Sequence, residues 1–117
     1  MAIRHAKPTE IISLKPFGKE IASTKTYIIF KTDAMEAIRL VMPAGKQIAE
    51  HKAPGEITVQ CLEGQVKFTA RGTTQTLDQH QMLYLETAEP HAVEAVKDSS
   101  VLVTIVFRKP TEAMSGK

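Results

Sequence analysis

The chain is broken into short runs of β-branched and other apolar residues, each ended by glycine, proline or a small polar cluster. The runs are 27–30, 37–42, 57–62, 66–70, 74–77, 82–85, 92–96 and 101–107. Pro43-Ala44-Gly45, Glu63-Gly64, Arg71-Gly72 and Lys97-Asp98-Ser99-Ser100 are among the stops. A recurrence of about 8–12 residues is the rhythm of an all-β sandwich or barrel. A parallel sheet needs helical crossovers of a dozen residues or more, and no such room exists between these runs. Glu63-Gly64 and Arg71-Gly72 suit tight hairpins, where glycine supplies a positive φ at no steric cost. The expected fold is therefore all-β and antiparallel, with minimal helix.

Parity within the runs assigns faces. Ile57, Val59 and Cys61 are apolar while Glu56, Thr58 and Gln60 between them are polar. Val66, Phe68 and Ala70 continue the pattern around Lys67 and Thr69. Such period-2 alternation marks strands with one buried face. The last run, 101–107, is apolar on both faces except at Thr104. It is expected in the middle of the structure, under a second layer or at a subunit interface. Residues 1–25 are less regular and are expected to pack on, or swap onto, a barrel formed by 26–110. Residues 11–14 suggest an edge strand before Pro16, and 19–22 a short helical turn. The small, polar tail 111–117 is expected to fray.

Composition bounds the function. The 117 residues make one domain, and 43% hydrophobic content is enough for a core. A net charge of +2, with no basic patch, argues against nucleic acid as a partner. No run of about 18 apolar residues occurs, so no membrane span is expected, and the first residues lack the apolar core of a signal peptide. The single cysteine, Cys61, excludes an internal disulfide and a cysteine-rich zinc site. The expected compartment is the reducing cytoplasm. No Gly-x-Ser-x-Gly elbow, phosphate-binding glycine loop or helix-turn-helix pattern is present.

Residues 45–64 carry the most specific signal. Gly45, a five-residue gap, His51 and the closing Leu62-Glu63-Gly64 resemble the first motif of the cupin superfamily. Residues 80–91, with a turn, the strand 82–85, a loop containing Pro90, and His91, resemble the second motif. The two motifs occur in the right order with the right separation, and the resemblance spans about residues 35–107. It implies a small, single-domain, RmlC-like cupin, an antiparallel jelly-roll β-barrel with its site inside.

Members of that family usually hold one divalent metal with two histidines and a carboxylate or amide from the first motif, and the histidine of the second. Here His51 and His91 are kept, but Ala53 stands at the second histidine and Ile57 at the carboxylate. Glu56 is one residue off, and a one-residue slip in a strand turns a side chain to the other face. Two imidazoles leave an incomplete ligand set. A first-row metal (iron, manganese, nickel or zinc) would be weakly held by His51 and His91, with Glu56 joining only if it turned inward.

The pocket expected from these residues is lined by His51, His91, Ala53, Ile57, Val59 and Cys61. Its two polar groups and apolar walls suit a small organic ligand. Cys61 needs no role beyond that of a small buried hydrophobe. His80 is expected at a solvated turn, His5 in the loose N-terminal segment and Tyr84 in the core or an interface. Glu50 is expected to face away from the pocket. Two functions remain open. One is a small-ligand-binding module or remnant enzyme. The other is a metal-dependent enzyme of the dioxygenase, isomerase or decarboxylase type. A structural dimer module is a third option. A homodimer is expected from the two-sided strand 101–107, Leu62 and other apolar residues at outward parity.

Overall fold

The computed structural model describes residues 4–107. A 3₁₀ helix, Gly18–Ser23, precedes nine strands: β1 (Tyr27–Lys31), β2 (Met35–Met42), β3 (Gln47–His51), β4 (Gly55–Glu63), β5 (Gln65–Ala70), β6 (Thr73–Asp78), β7 (Met82–Leu85), β8 (His91–Ala95) and β9 (Ser99–Phe107). They form a five-stranded sheet in the order β1-β2-β9-β4-β7 and a four-stranded sheet in the order β3-β8-β5-β6, antiparallel throughout. This is the expected jelly roll, although its wall is two sheets face to face rather than a continuously hydrogen-bonded barrel.

All eight apolar runs are strands. The ninth, β3, escapes a reading of apolar runs because Gln47, Ala49, Glu50 and His51 are exposed and only Ile48 is partly covered. It is an edge strand, so one partner and one packed side chain suffice. Residues 11–14 form no strand. The chain turns over residues 7–10, where Glu10 N–H donates to Lys7 O (3.0 Å) and the Glu10 carboxylate takes Lys7 N–H (2.9 Å). Among the described residues of this segment, only Ala6 N–H bonds to the β1 backbone, at Ile29 O (2.8 Å). Ile11 is left 94% exposed. The helical turn expected at 19–22 is the 3₁₀ helix. The tail 111–117, and 108–110 at the end of the expected barrel segment, lie outside the described residues.

The core is the space between the sheets. On the inner face of the large sheet, Val59 and Ile38 flank Val103, and Ile57 lies beside Ile105. Opposite them Ile48 and Phe68 flank Val93. Strand β9 is central, between β2 and β4, as its two-sided apolarity predicts; its outward Val106 nevertheless remains 49% exposed. Tyr84 is 71% exposed and belongs to no core.

A buried ionic cluster fixes the N-terminal segment to the large sheet. Arg39 of β2, 1% exposed, donates to Lys15 O (2.6 Å), Ser100 Oγ (3.1 Å) and Glu63 Oε2 (3.4 Å), and lies 3.9 Å over the Phe17 ring. The Glu63 carboxylate also accepts Phe17 N–H (2.9 Å), Gly18 N–H (3.1 Å) and Ser100 Oγ–H (2.7 Å). Burial pushes the Glu63 carboxyl upward, but these hydrogen bonds and the Arg39 charge outweigh it and hold Glu63 below its ordinary range. The cluster is invisible in the sequence, where Arg39 reads as a polar interruption and Glu63 as a turn residue.

Candidate ligand pocket

His51 ends β3 and His91 begins β8, and the two face each other directly across that strand pair. His91 shares the inward parity of Val93, two residues on. His51 does not share the parity of inward Ile48, three residues back. A register shift in β3 between Ile48 and His51 corrects this and returns His51 to the inner face. The ring centroids are 4.2 Å apart with the planes at 62°. On its other side His91 stacks on Phe68, at 5.5 Å and 11°.

Both rings are held the same way. His51 Nδ1 lies 2.9 Å from Ala49 O, and His91 Nδ1 lies 2.9 Å from Glu89 O. A carbonyl oxygen only accepts, so each Nδ1 carries a proton, and a neutral imidazole held this way has its lone pair on Nε2. Burial lowers the pKa of His91 from its usual 6.5, and the neighbouring His51 adds to this. The bond to Glu89 O and the Glu89 charge oppose it without reversing it. His91 is 5% exposed, while His51 is exposed at the rim. Glu89 is itself held by an ion pair to Arg71, at the β5–β6 turn, which also pairs with Glu86 (2.6 Å). The β7–β8 loop that orients His91 is therefore tied to the opposite hairpin.

Beside the histidines lies a cavity of about 290 Å³. The large sheet lines it with Ile38, Leu40, Val59, Val103 and Ile105, and the small sheet with Ile48, Phe68 and Val93. Residues His51, Lys52, Ala53 and Pro54 form its rim. Among the described residues, no acidic side chain lines it. Of the residues expected around a pocket, His51, Ala53 and Val59 are on its wall. His91 is packed behind, between His51 and Phe68. Ile57 and Cys61 belong to the core instead, at 3% and 0% exposure. Ile57 pairs with Leu85 and Ile105, and Cys61 sits beside Val101 with its Sγ–H directed at Glu63 O (3.4 Å). Burial raises the Cys61 thiol pKa, which makes it a poor nucleophile. Glu50, His5 and His80 are exposed and line no part of the cavity.

A family-type metal set does not fit these residues. Ala53 brings no donor to the rim. Glu56 is exposed at the parity opposite inward Ile57, so it is not a third ligand in this fold. Among the described residues no group of three or more His, Cys, Asp or Glu is placed to hold a metal.

A larger cleft of about 570 Å³ opens where the β5–β6 hairpin faces β7, lined by Phe68, Gln75, Tyr84, Arg71, Glu86 and Glu89 among others. It has no histidine, and the charge of Arg71 is already met by two carboxylates. Its size reflects the open seam of the sandwich, so the smaller apolar cavity is the stronger site. Parity did not reveal Lys52, Pro54 or Phe68 as pocket residues. Phe68 alone was readable as inward.

No protein-family model matches the chain, and no curated protein sequence matches it. Solved structures do. A cupin superfamily protein from Desulfitobacterium hafniense superposes with a TM-score of 0.69 at 14% identity, over 71% of this chain and 76% of that one. An RmlC-like cupin from Desulfovibrio desulfuricans gives 0.65 at 21% identity, over 89% and 96%. A conserved protein of unknown function from Streptococcus pyogenes gives 0.73 at 18% identity, over 93% and 96%. Likeness at these identities is likeness of fold. No helix among the described residues is long and apolar enough to cross a membrane.

Proposed function

Starting from a chain that has the cupin fold, we propose that it is a small-ligand-binding module that holds an organic molecule in the cavity between its sheets. The observation that carries this reading is the 290 Å³ apolar space with His51 at its rim and His91 packed against His51. An apolar chamber with a few convergent polar groups is the usual form of a small-molecule site. Ala53, on the cavity wall where the family's second histidine would stand, offers a methyl group in place of a metal ligand. The test is a thermal-shift screen of small organic compounds against metal-free protein, repeated on Ala53→Trp, which puts a bulky ring at the rim of the cavity. Compounds that stabilise the parent but not the variant support the reading. Equal shifts in both place binding elsewhere.

A second reading, a metal-dependent enzyme completed by water, is favoured by one feature. Both Nδ1 atoms are engaged by backbone carbonyls, the arrangement that frees Nε2 of a metal-binding histidine. Metal analysis of untagged protein decides it: a stoichiometric first-row metal that is lost in His51→Ala supports this reading, and a metal-free active binder rejects it.

We also propose a homodimer. Met82, Tyr84 and Val106, at 56%, 71% and 49% exposure, share the outer face of the large sheet. Leu62 is 8% exposed within a single chain and does not contribute. Light scattering showing a dimer at tens of micromolar supports this, and a monomer refutes it. A cytoplasmic location is supported by the free thiol of Cys61.

A further inference from the structure

We propose that the cavity selects a neutral molecule with an apolar body and one hydroxyl hydrogen-bond donor, the chemistry of a phenol or a compact alcohol. This inference rests on the ligand-binding reading and narrows it to a class of ligand.

The tautomer decides the class. His51 lines the cavity, and its Nδ1–H is spent on Ala49 O at 2.9 Å. What the ring has left to offer a ligand is the Nε2 lone pair, an acceptor. His91, fixed identically on Glu89 O, is packed behind His51 and brings no donor to the cavity wall. A ligand that only accepts, such as a ketone, an ether or a carboxylate, meets lone pair with lone pair. A hydroxyl meets it with a proton.

Charge points the same way. An anion would have to be buried among Ile38, Leu40, Val59, Val103 and Ile105, and removing a carboxylate from water without a paired, hydrogen-bonded partner is prohibitive. Among the described residues the one lysine or arginine on the lining, Lys52, is exposed at the rim, where its ammonium stays hydrated while its stem covers apolar wall. A cationic ligand fares no better, because no acidic side chain among the described residues lines the space.

Size follows from the volume. At the interior packing density of about 0.75, a space of 290 Å³ holds roughly a dozen non-hydrogen atoms. One substituted ring, or a branched alcohol of similar bulk, fills it. Phe68, its ring already aligned with His91, offers a flat wall to such a ring.

The test is calorimetric titration of the full chain with three matched probes: 4-propylphenol, its methyl ether 4-propylanisole, and 4-propylbenzoate. The expected result is binding of the phenol about tenfold more tightly than the ether, the size of one desolvated hydrogen bond, with the benzoate weakest. In His51→Phe, which keeps a ring and loses the acceptor, the phenol-to-ether ratio should fall to about one while the ether still binds. Equal affinity of phenol and ether for the parent protein overturns the inference and leaves the cavity a ligand site. Tightest binding of the benzoate overturns it in favour of an anion. Binding of none of the three overturns both this inference and the ligand-binding reading.

Discussion

Replacing Glu63 by alanine should be among the most damaging single changes to this fold, although Glu63 lies outside the apolar core. The substitution leaves the Arg39 guanidinium, 1% exposed, with Lys15 O and Ser100 Oγ but no counter-charge. Breaking a buried ion pair by removing one partner costs about 3–5 kcal/mol, most of it the desolvation of the charge left behind. Phe17 N–H and Gly18 N–H also lose their acceptor, so the segment before the 3₁₀ helix should detach. Against a total stability of about 5–15 kcal/mol for a domain, the loss should lower the urea midpoint by roughly 2 M at an m-value of about 2 kcal/mol/M. Hydrogen exchange should show residues 15–23 opening first. Glu63→Gln, which keeps an acceptor oxygen, should cost about half as much, and Arg39→Met combined with Glu63→Met should recover most of the loss. A cost under about 1 kcal/mol for Glu63→Ala, typical of exposed pairs, would refute the cluster as described. The pH dependence has a definite sign. Glu63 is held below the ordinary 4.5, so its contribution is complete above that value and is lost as pH falls through the lower folded pKa.

Three further outcomes are expected. His91 is pushed below its ordinary 6.5 by burial, so the unfolded chain takes up the proton first as pH falls. Stability should then decline from pH 6.5 downward, and His91→Gln should flatten that slope in urea titrations at pH 5 and 7; an unchanged slope contradicts the burial of a neutral His91. Ala53→His adds a third imidazole to the rim that His51 occupies, and should raise nickel affinity at least tenfold by calorimetry; unchanged affinity would mean that the rim cannot bring the two rings together. Gly55→Ala should be strongly destabilising by circular dichroism melting, because a Cβ there would collide with the Val106 carbonyl and part β4 from β9; a neutral result would contradict that pairing.

Much of the architecture was legible because burial of one sheet face writes alternation into sequence. Ile57, Val59 and Cys61 announce β4, and Val66 and Phe68 announce β5. What stayed hidden depends on long-range geometry. β3 is an edge strand with one packed side chain, so its composition carries almost no strand signal. The inward turn of His51 was expected from the motif resemblance, but the route to it, a register shift in β3 after Ile48, was not. Ile57 and Cys61 share the inward parity of Val59, yet only Val59 faces open space, since parity gives the face of a sheet but not where the opposing sheet leaves a gap. Arg39 and Glu63, 24 residues apart, meet only through the β2-β9-β4 order, which no local pattern encodes.

The most direct test of the central claim is methyl-resolved NMR of the full chain titrated with benzene, a probe with no polar group. An interior cavity predicts saturable shifts at Ile38, Leu40, Val59, Val103 and Ile105, with Met82 and Val106 on the outer face unmoved. Shifts confined to the outer face, or none at the five cavity residues, would contradict the claim that the space between the sheets is a ligand site.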